Sequence, residues 1–174
     1  MNRLVKQLLI IIILSTLVGL LRNSLFPNEI AIIGEWRDLS NGEEPVIPPT
    51  AEKGDPPFIA INVAQMEYST KGTKFIDARD FDEYECGTIP GSINIPFDYL
   101  PEGDLKPYFD SLLGGIPLDY PLIIYCSGEE CDLSLHLGRN FMDVGYSNIM
   151  IFFGGSREWE SYGLEVERIS NCEE

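Results

Sequence analysis

Short apolar runs alternate with helical patterns through the second part of the chain. The runs are FIAIN at 58–62, KFID at 74–77, SIN at 92–94, LIIY at 122–125 and IMIFF at 149–153. Runs of this length, apolar on both faces and separated by helices, predict an α/β domain built on a five-stranded, mostly parallel sheet flanked by helices. Asn62 with Gln65, and Asp80 with Glu83, have the spacing of helix-start capping pairs, and Gly72 stands where a helix should stop. Leu133, Leu137, Phe141 and Val144 recur at helical spacing between Asp132 and Gly145, which predicts a further helix there. Trp159, Phe152 and Phe153 read as core aromatics, and His136 as a residue packed on or exposed by that helix.

The N-terminus has a different pattern. From Gln7 to Leu21 the chain is uncharged and dominated by Leu, Ile and Val, with Arg3 and Lys6 before and Arg22 after. As a helix these 15 residues reach about 22 Å, short of a hydrocarbon core of about 30 Å, unless Lys6 and Arg22 snorkel. With that extension, residues 1–26 are expected to form one transmembrane helix ending before Pro27. A cleaved signal peptide and a buried core helix are the alternatives, and no A-x-A-like site follows the run. The basic flank places the N-terminus in the cytoplasm and the rest of the chain outside it. Residues 27–57, with Pro45, Pro48, Pro49, Pro56 and Pro57, read as a proline-rich acidic tether. The folded domain is expected over 58–168, with 169–174 as a tail.

Charge and cysteine usage narrow the chemistry. The net charge is −16, and Arg3, Lys6 and Arg22 are the only charged residues among the first 22, so the remaining 9 basic residues face all 28 acids, a net −19. Such a body repels nucleic acid and anionic headgroups, and no nucleic-acid partner is expected. Cys86, Cys126, Cys131 and Cys172 lack the paired spacing of a zinc site, and His136 is the single histidine. Neither a metal nor another cofactor is expected. With one histidine available, a nucleophile has to be activated mainly by its backbone surroundings.

Cys126 occupies a place where that can happen. It directly follows LIIY, and Ser127, Gly128, Glu129, Glu130 and Cys131 separate it from the helix that Asp132 opens. Ligands of parallel sheets gather beyond the carboxyl ends of the strands. A loop curling round the sulfur can aim backbone N–H groups at it, and the helix N-terminus adds positive potential, both favouring a thiolate or persulfide anion. The plainer reading is a small, inert, buried residue at a strand end.

Four stretches then resemble the rhodanese homology domain, in order and over about residues 58–168. FIDAR at 75–79 looks like the family's strand and Asp-x-Arg element. FDEYECGTIPGSINIP at 81–96 resembles its E-x-x-x-G-H-I-P-G-A-x-N-I-P signature, with Thr88 in place of the histidine. LIIYCSGEECDLS at 122–134 is similar to the active-site strand and loop, and IFFGGSREW at 151–159 to the terminal strand, Gly-Gly turn and tryptophan. The resemblance implies a sulfurtransferase in which Cys126 accepts sulfane sulfur, holds it as a persulfide and passes it to a thiol or other nucleophilic acceptor. The backbone amides of residues 127–131 would cradle the outer sulfur. Its partners would be a sulfur donor and an acceptor, small molecules or proteins.

Arg79 and Glu83 read as structural polar groups near the site, pairing with each other or capping a helix. Glu129, Glu130 and Asp132 oppose ionisation of Cys126 and repel thiosulfate, which points to a neutral or protein-borne donor. Rhodanese-like phosphatases close their loop with an arginine, and this loop has none, which argues against phosphate. Cys131 is either a small residue filling the helix start or a resolving thiol for Cys126. Cys86 and Cys172 could pair, among three possible connectivities. Two alternatives to sulfur transfer stay open: a thiol redox module using Cys126 and Cys131, and a non-catalytic interaction module.

Overall fold

The structure is a computed structural model and describes residues 3–25, 42–128, 131–170 and 172. The chain divides into two units, residues 1–37 and 38–174.

In the first unit a single helix, α1, spans Arg3–Leu25. Among the described residues no helix is long and apolar enough to cross a membrane. The transmembrane anchor expected over residues 1–26 is therefore not supported. Its uncharged stretch is only 15 residues, about three quarters of a hydrocarbon thickness as a helix, and Lys6 and Arg22 close it at both ends.

The second unit is an α/β layer structure. Its elements are α2 (Ile61–Thr70), β1 (Lys74–Asp77), α3 (Phe81–Cys86), β2 (Ile93–Asn94), a 3-10 turn at Phe97–Tyr99, α4 (Lys106–Leu113), β3 (Leu122–Tyr125), α5 (Leu133–Asp143), β4 (Ile149–Phe152) and α6 (Gly155–Ser161). The strands form one sheet in the order β2-β1-β3-β4, and every pairing is parallel. The sheet has four strands among the described residues, not five. Of the expected first strand, a single bridge from Phe58 to Ile151 survives, supported by bonds from Ile59 N–H to the Ile151 carbonyl and from Ile151 N–H to the Pro57 carbonyl, both 2.9 Å. Pro56 and Pro57 have no N–H to give to a ladder, and the chain turns into α2 at Ile61, so nothing longer can pair.

Side-chain alternation along the strands makes two cores. On one face Ile76, Leu122, Ile124, Cys126 and Ile151 pack with Leu137 and Phe141 of α5 and Phe109 of α4. Phe109 and Phe141 stack at 4.0 Å. On the other face Phe75, Ile123, Tyr125 and Phe152 pack with Ile61 and Ala64 of α2 and with Trp159 of α6. The helical stripe read from Leu133 to Val144 is the face of α5 that covers the first core. The α2 helix ends on Lys71, which takes the left-handed conformation (φ 55°) one residue before Gly72. The described half of the proline-rich segment lies on the domain. Val46 packs against the first core, and Asp55 accepts 2.7 and 2.8 Å bonds from Arg139. Residues 26–41 lie outside the described set.

Cys86 at the end of α3 is disulfide-bonded to Cys172, which settles their pairing. The bond fixes the C-terminal tail beside a short antiparallel bridge between Thr88 and Glu167. It closes a span of 86 residues, for which chain entropy gives an upper figure of about 4.6 kcal/mol of stabilisation. A Cys86→Ala/Cys172→Ala variant is expected to unfold at lower denaturant with a loss of about 2 to 4 kcal/mol. An unchanged midpoint in equilibrium unfolding would show the tail to be energetically irrelevant.

Candidate functional site

The site begins with β3. Its four residues are buried on both faces, between β1 and β4, and Cys126 is the first residue beyond its carboxyl end. Beyond it the chain must turn to reach α5. The Gly154-Gly155 turn holds that loop from the other side. Ser156 N–H donates to the Cys126 carbonyl at 2.9 Å and Arg157 N–H to the Ser127 carbonyl at 3.2 Å. Gly155 has φ +65°, and a Cβ on it would stand 2.3 Å from the Cys126 carbonyl oxygen and 2.7 Å from the Gly128 nitrogen. No side chain fits between these two segments, which is why a glycine stands there. The loop closes through a 2.9 Å bond from Cys131 N–H to the Gly128 carbonyl.

Cys126 is fully buried. Its thiol donates to the Cys131 carbonyl at 2.6 Å and lies 3.9 Å from the Gly128 carbonyl. The Ser134 hydroxyl, in the first turn of α5, donates to Sγ at 3.6 Å. Burial pushes the Cys126 thiol far above the ordinary thiol range, and the neighbouring Cys131 thiol adds to the rise, while a Gly128 backbone bond and Ser134 pull against it. Burial, rather than the three acids of the loop, is thus the main force keeping Cys126 protonated.

Cys131 is only partly buried and behaves in the opposite way. The Cys126 side chain beside it and the backbone groups of Ser127 and Leu133 bring its pKa down to about 7, against opposition from burial and the Glu83 charge. In the described part of the loop the backbone groups are divided between the two thiols, Gly128 favouring the charged form of Cys126 and Ser127 that of Cys131. Glu129 and Glu130 fall outside the described residues.

Arg79 and Glu83 do not pair with each other. Arg79 is buried and chelates Asp77 through Nε at 2.9 Å and Nη2 at 2.6 Å, with a further 2.7 Å bond to the Gly87 carbonyl. Asp77 also accepts from Thr88 at 3.1 Å, and Thr88 lies 2.7 Å from both Ser92 and the Tyr125 hydroxyl. Burial and Asp77 push the Tyr125 phenol up, so it stays neutral in this network. Thr88 thus serves as a compact hydroxyl joining β1, β3 and the segment before β2. Glu83, on α3, accepts a 2.9 Å bond from the Ser127 hydroxyl and ties the loop to that helix. Asp132 caps no backbone group with its side chain and accepts instead from Thr50 at 3.0 Å.

A cavity of about 380 Å³ opens beside the loop, with Ser127, Glu83, Arg79, Arg157 and Trp159 among its walls. The sequence reading missed Arg157, whose Cβ and Cδ would each lie 3.8 Å from a Cβ on Gly128, and Ser134. A small polar residue in the first turn of a helix facing the strand end was the available signal for Ser134. Among the described residues no group of three or more His, Cys, Asp or Glu is placed to hold a metal ion. His136 lies with its ring 5.5 Å from that of Phe97, at the edge of the core.

Comparisons with known proteins agree with this architecture. A sequence profile described as rhodanese-like domain matches residues 62–162. Over 92 residues the chain is 32% identical to the HTH-type transcriptional regulator Rv0324 of Mycobacterium tuberculosis, a match covering 53% of this chain and 36% of that protein. The chain thus spans about a third of the length of this curated relative. The thiosulfate sulfurtransferase of Pseudomonas aeruginosa superposes with a TM-score of 0.52 at 22% identity, over 67% of this chain and 21% of the other. The BH2092 protein of Bacillus halodurans gives 0.52 at 21% identity, over 62% and 74%. The human single-domain sulfurtransferase TSTD1 gives 0.50 at 22%, over 60% and 96%. At these identities the likeness is one of fold.

Thiol reactivity checks the contrast between the two cysteines. Iodoacetamide labelling of the folded chain is expected to modify Cys131 with a midpoint near pH 7 and to modify the buried Cys126 more slowly. Peptide mapping that finds Cys126 labelled first would overturn the assignment.

Proposed function

The chain belongs to the rhodanese-like domain family, and on that footing we propose that it is a sulfurtransferase carrying sulfane sulfur as a persulfide on Cys126. One observation supports this most: Cys126 ends the central strand of a parallel sheet, inside a loop pinned on one side by Gly155 and followed by the N-terminus of α5. A persulfide there places its outer sulfur among the loop residues, where backbone N–H groups and the helix end offset negative charge. In the reaction the donor's sulfane sulfur forms a bond to Cys126 Sγ as its bond to the donor breaks. The acceptor then takes that outer sulfur and returns Cys126 to the thiol.

Full burial of Cys126 requires the loop to open for this exchange. The cavity beside Ser127 is where we place the donor and the acceptor, between the Arg157 and Glu83 walls. In the cavity walls Arg79, Arg157 and Arg168 stand against Asp82, Glu83 and Glu160, and Arg79 and Arg168 are already paired with Asp77 and Glu160. With a net charge of −16 on the chain, a neutral persulfidated thiol or a protein-borne persulfide suits it better than a thiosulfate dianion. We also infer that the domain works in an oxidising compartment, because the Cys86–Cys172 pair is disulfide-bonded.

Intact-mass analysis of the full chain after incubation with thiosulfate and with a low-molecular-weight persulfide tests the reading. The expected result is that the persulfide donor adds one sulfur atom to Cys131→Ser and none once Cys126 is also replaced by Ser. Weak loading from thiosulfate should improve as salt screens like charges. No sulfur on Cys131→Ser with either donor would leave an interaction module as the better reading.

A further inference from the structure

The proposed reaction uses one thiol, yet the loop holds two. The thiol of Cys126 reaches the Cys131 carbonyl at 2.6 Å, and the Cys131 N–H is bound back to the Gly128 carbonyl. This folds the ends of the loop together, so that residues five apart in sequence share one small volume. Cys126 is sealed in the core, while Cys131 keeps contact with solvent. The remaining pair of cysteines is already tied off as Cys86–Cys172 and cannot compete.

From this juxtaposition we propose that Cys131 is a resolving thiol that discharges the Cys126 persulfide as hydrosulfide. The inference rests on the sulfur-transfer reading and gives it a second exit. The Cys131 thiolate attacks the inner sulfur, Cys126 Sγ, of the protonated persulfide. A bond forms between the two cysteine sulfurs, the bond to the outer sulfur breaks, and that sulfur leaves with the electron pair as HS⁻, taking the persulfide proton. The sulfane sulfur is reduced and the two cysteines are oxidised to one disulfide. An external dithiol, by two successive exchanges, then returns both cysteines to thiols and is itself oxidised to a disulfide.

Each observation on the pair has a place in this sequence. The resolving step needs a thiolate at Cys131, and the Cys126 side chain and the backbone groups of Ser127 and Leu133 favour it there. Cys126 gives up its proton only in the loading step, to the departing donor thiolate. The attacked sulfur needs no charge of its own, which suits the buried position. With the disulfide formed, the donor meets no free thiol, so turnover follows the supply of dithiol as well as that of donor.

The test uses the full chain, treated with one equivalent of a low-molecular-weight persulfide without added thiol, and follows intact mass and hydrosulfide together. Wild type is expected to release about one equivalent of hydrosulfide and to carry a Cys126–Cys131 disulfide without added sulfur. Cys131→Ser should retain the persulfide and release hydrosulfide at least about a hundredfold more slowly, since it lacks the positioned attacking group. A dithiol should then restore loading in wild type. Wild-type persulfide as long-lived as that of Cys131→Ser overturns the resolving role while sulfur transfer stands. Sulfur found on Cys131 overturns it too, showing a relay instead. If Cys131→Ser never gains sulfur, both readings fall together.

Discussion

Everything at the site depends on β3 being paired on both edges. Its backbone is committed to β1 and β4, and its side chains to a core on each face, so the strand has no freedom to slide or twist. The carboxyl end of such a strand is a fixed point. Cys126 sits there, and the loop that follows is positioned by contacts to fixed elements: Gly155 against its backbone, Glu83 on Ser127, and Ser134 under the sulfur. Charge and burial at the two cysteines follow from where this strand stops.

The placement divides the work between the thiols. An isolated reading of the loop treats Cys126 as the sulfur that backbone dipoles would ionise. In the folded domain, burial dominates at Cys126 and keeps it protonated, whereas Cys131, one turn nearer the solvent and the start of α5, feels the backbone groups without the full cost of desolvation. A buried sulfur acceptor beside an accessible thiolate is a coherent arrangement for sulfane chemistry, because the persulfide is shielded and its discharge is controlled by a neighbour.

Much of this was legible in the sequence because it depended on local pattern. The runs at 74–77, 122–125 and 149–153 became β1, β3 and β4 nearly residue for residue, since a strand apolar on both faces has no other stable setting. The α5 stripe was equally plain. Other features depended on long-range contacts that no window of sequence contains. Phe58 looked like the start of a fifth strand, but the prolines before it and the helix starting at Ile61 reduced it to one bridge. Arg79 was expected near Glu83 and instead found Asp77, two residues back at the end of β1, because a buried guanidinium needs a carboxylate partner. The apolar N-terminal run formed its helix, yet the length between its flanking charges did not support the expected span. Burial of Cys126, which sets its pKa, is a property of the packed domain.

The central claim is that sulfur is carried on Cys126 inside this loop, and the most direct measurement is a crystal structure of the Cys131→Ser protein after treatment with a persulfide donor. The account predicts a second sulfur bonded to Cys126 Sγ, with loop N–H groups turned toward it and the Gly155 contact unchanged. A bare Cys126 still bonded to the carbonyl of residue 131, with the loop closed over it, would contradict the account.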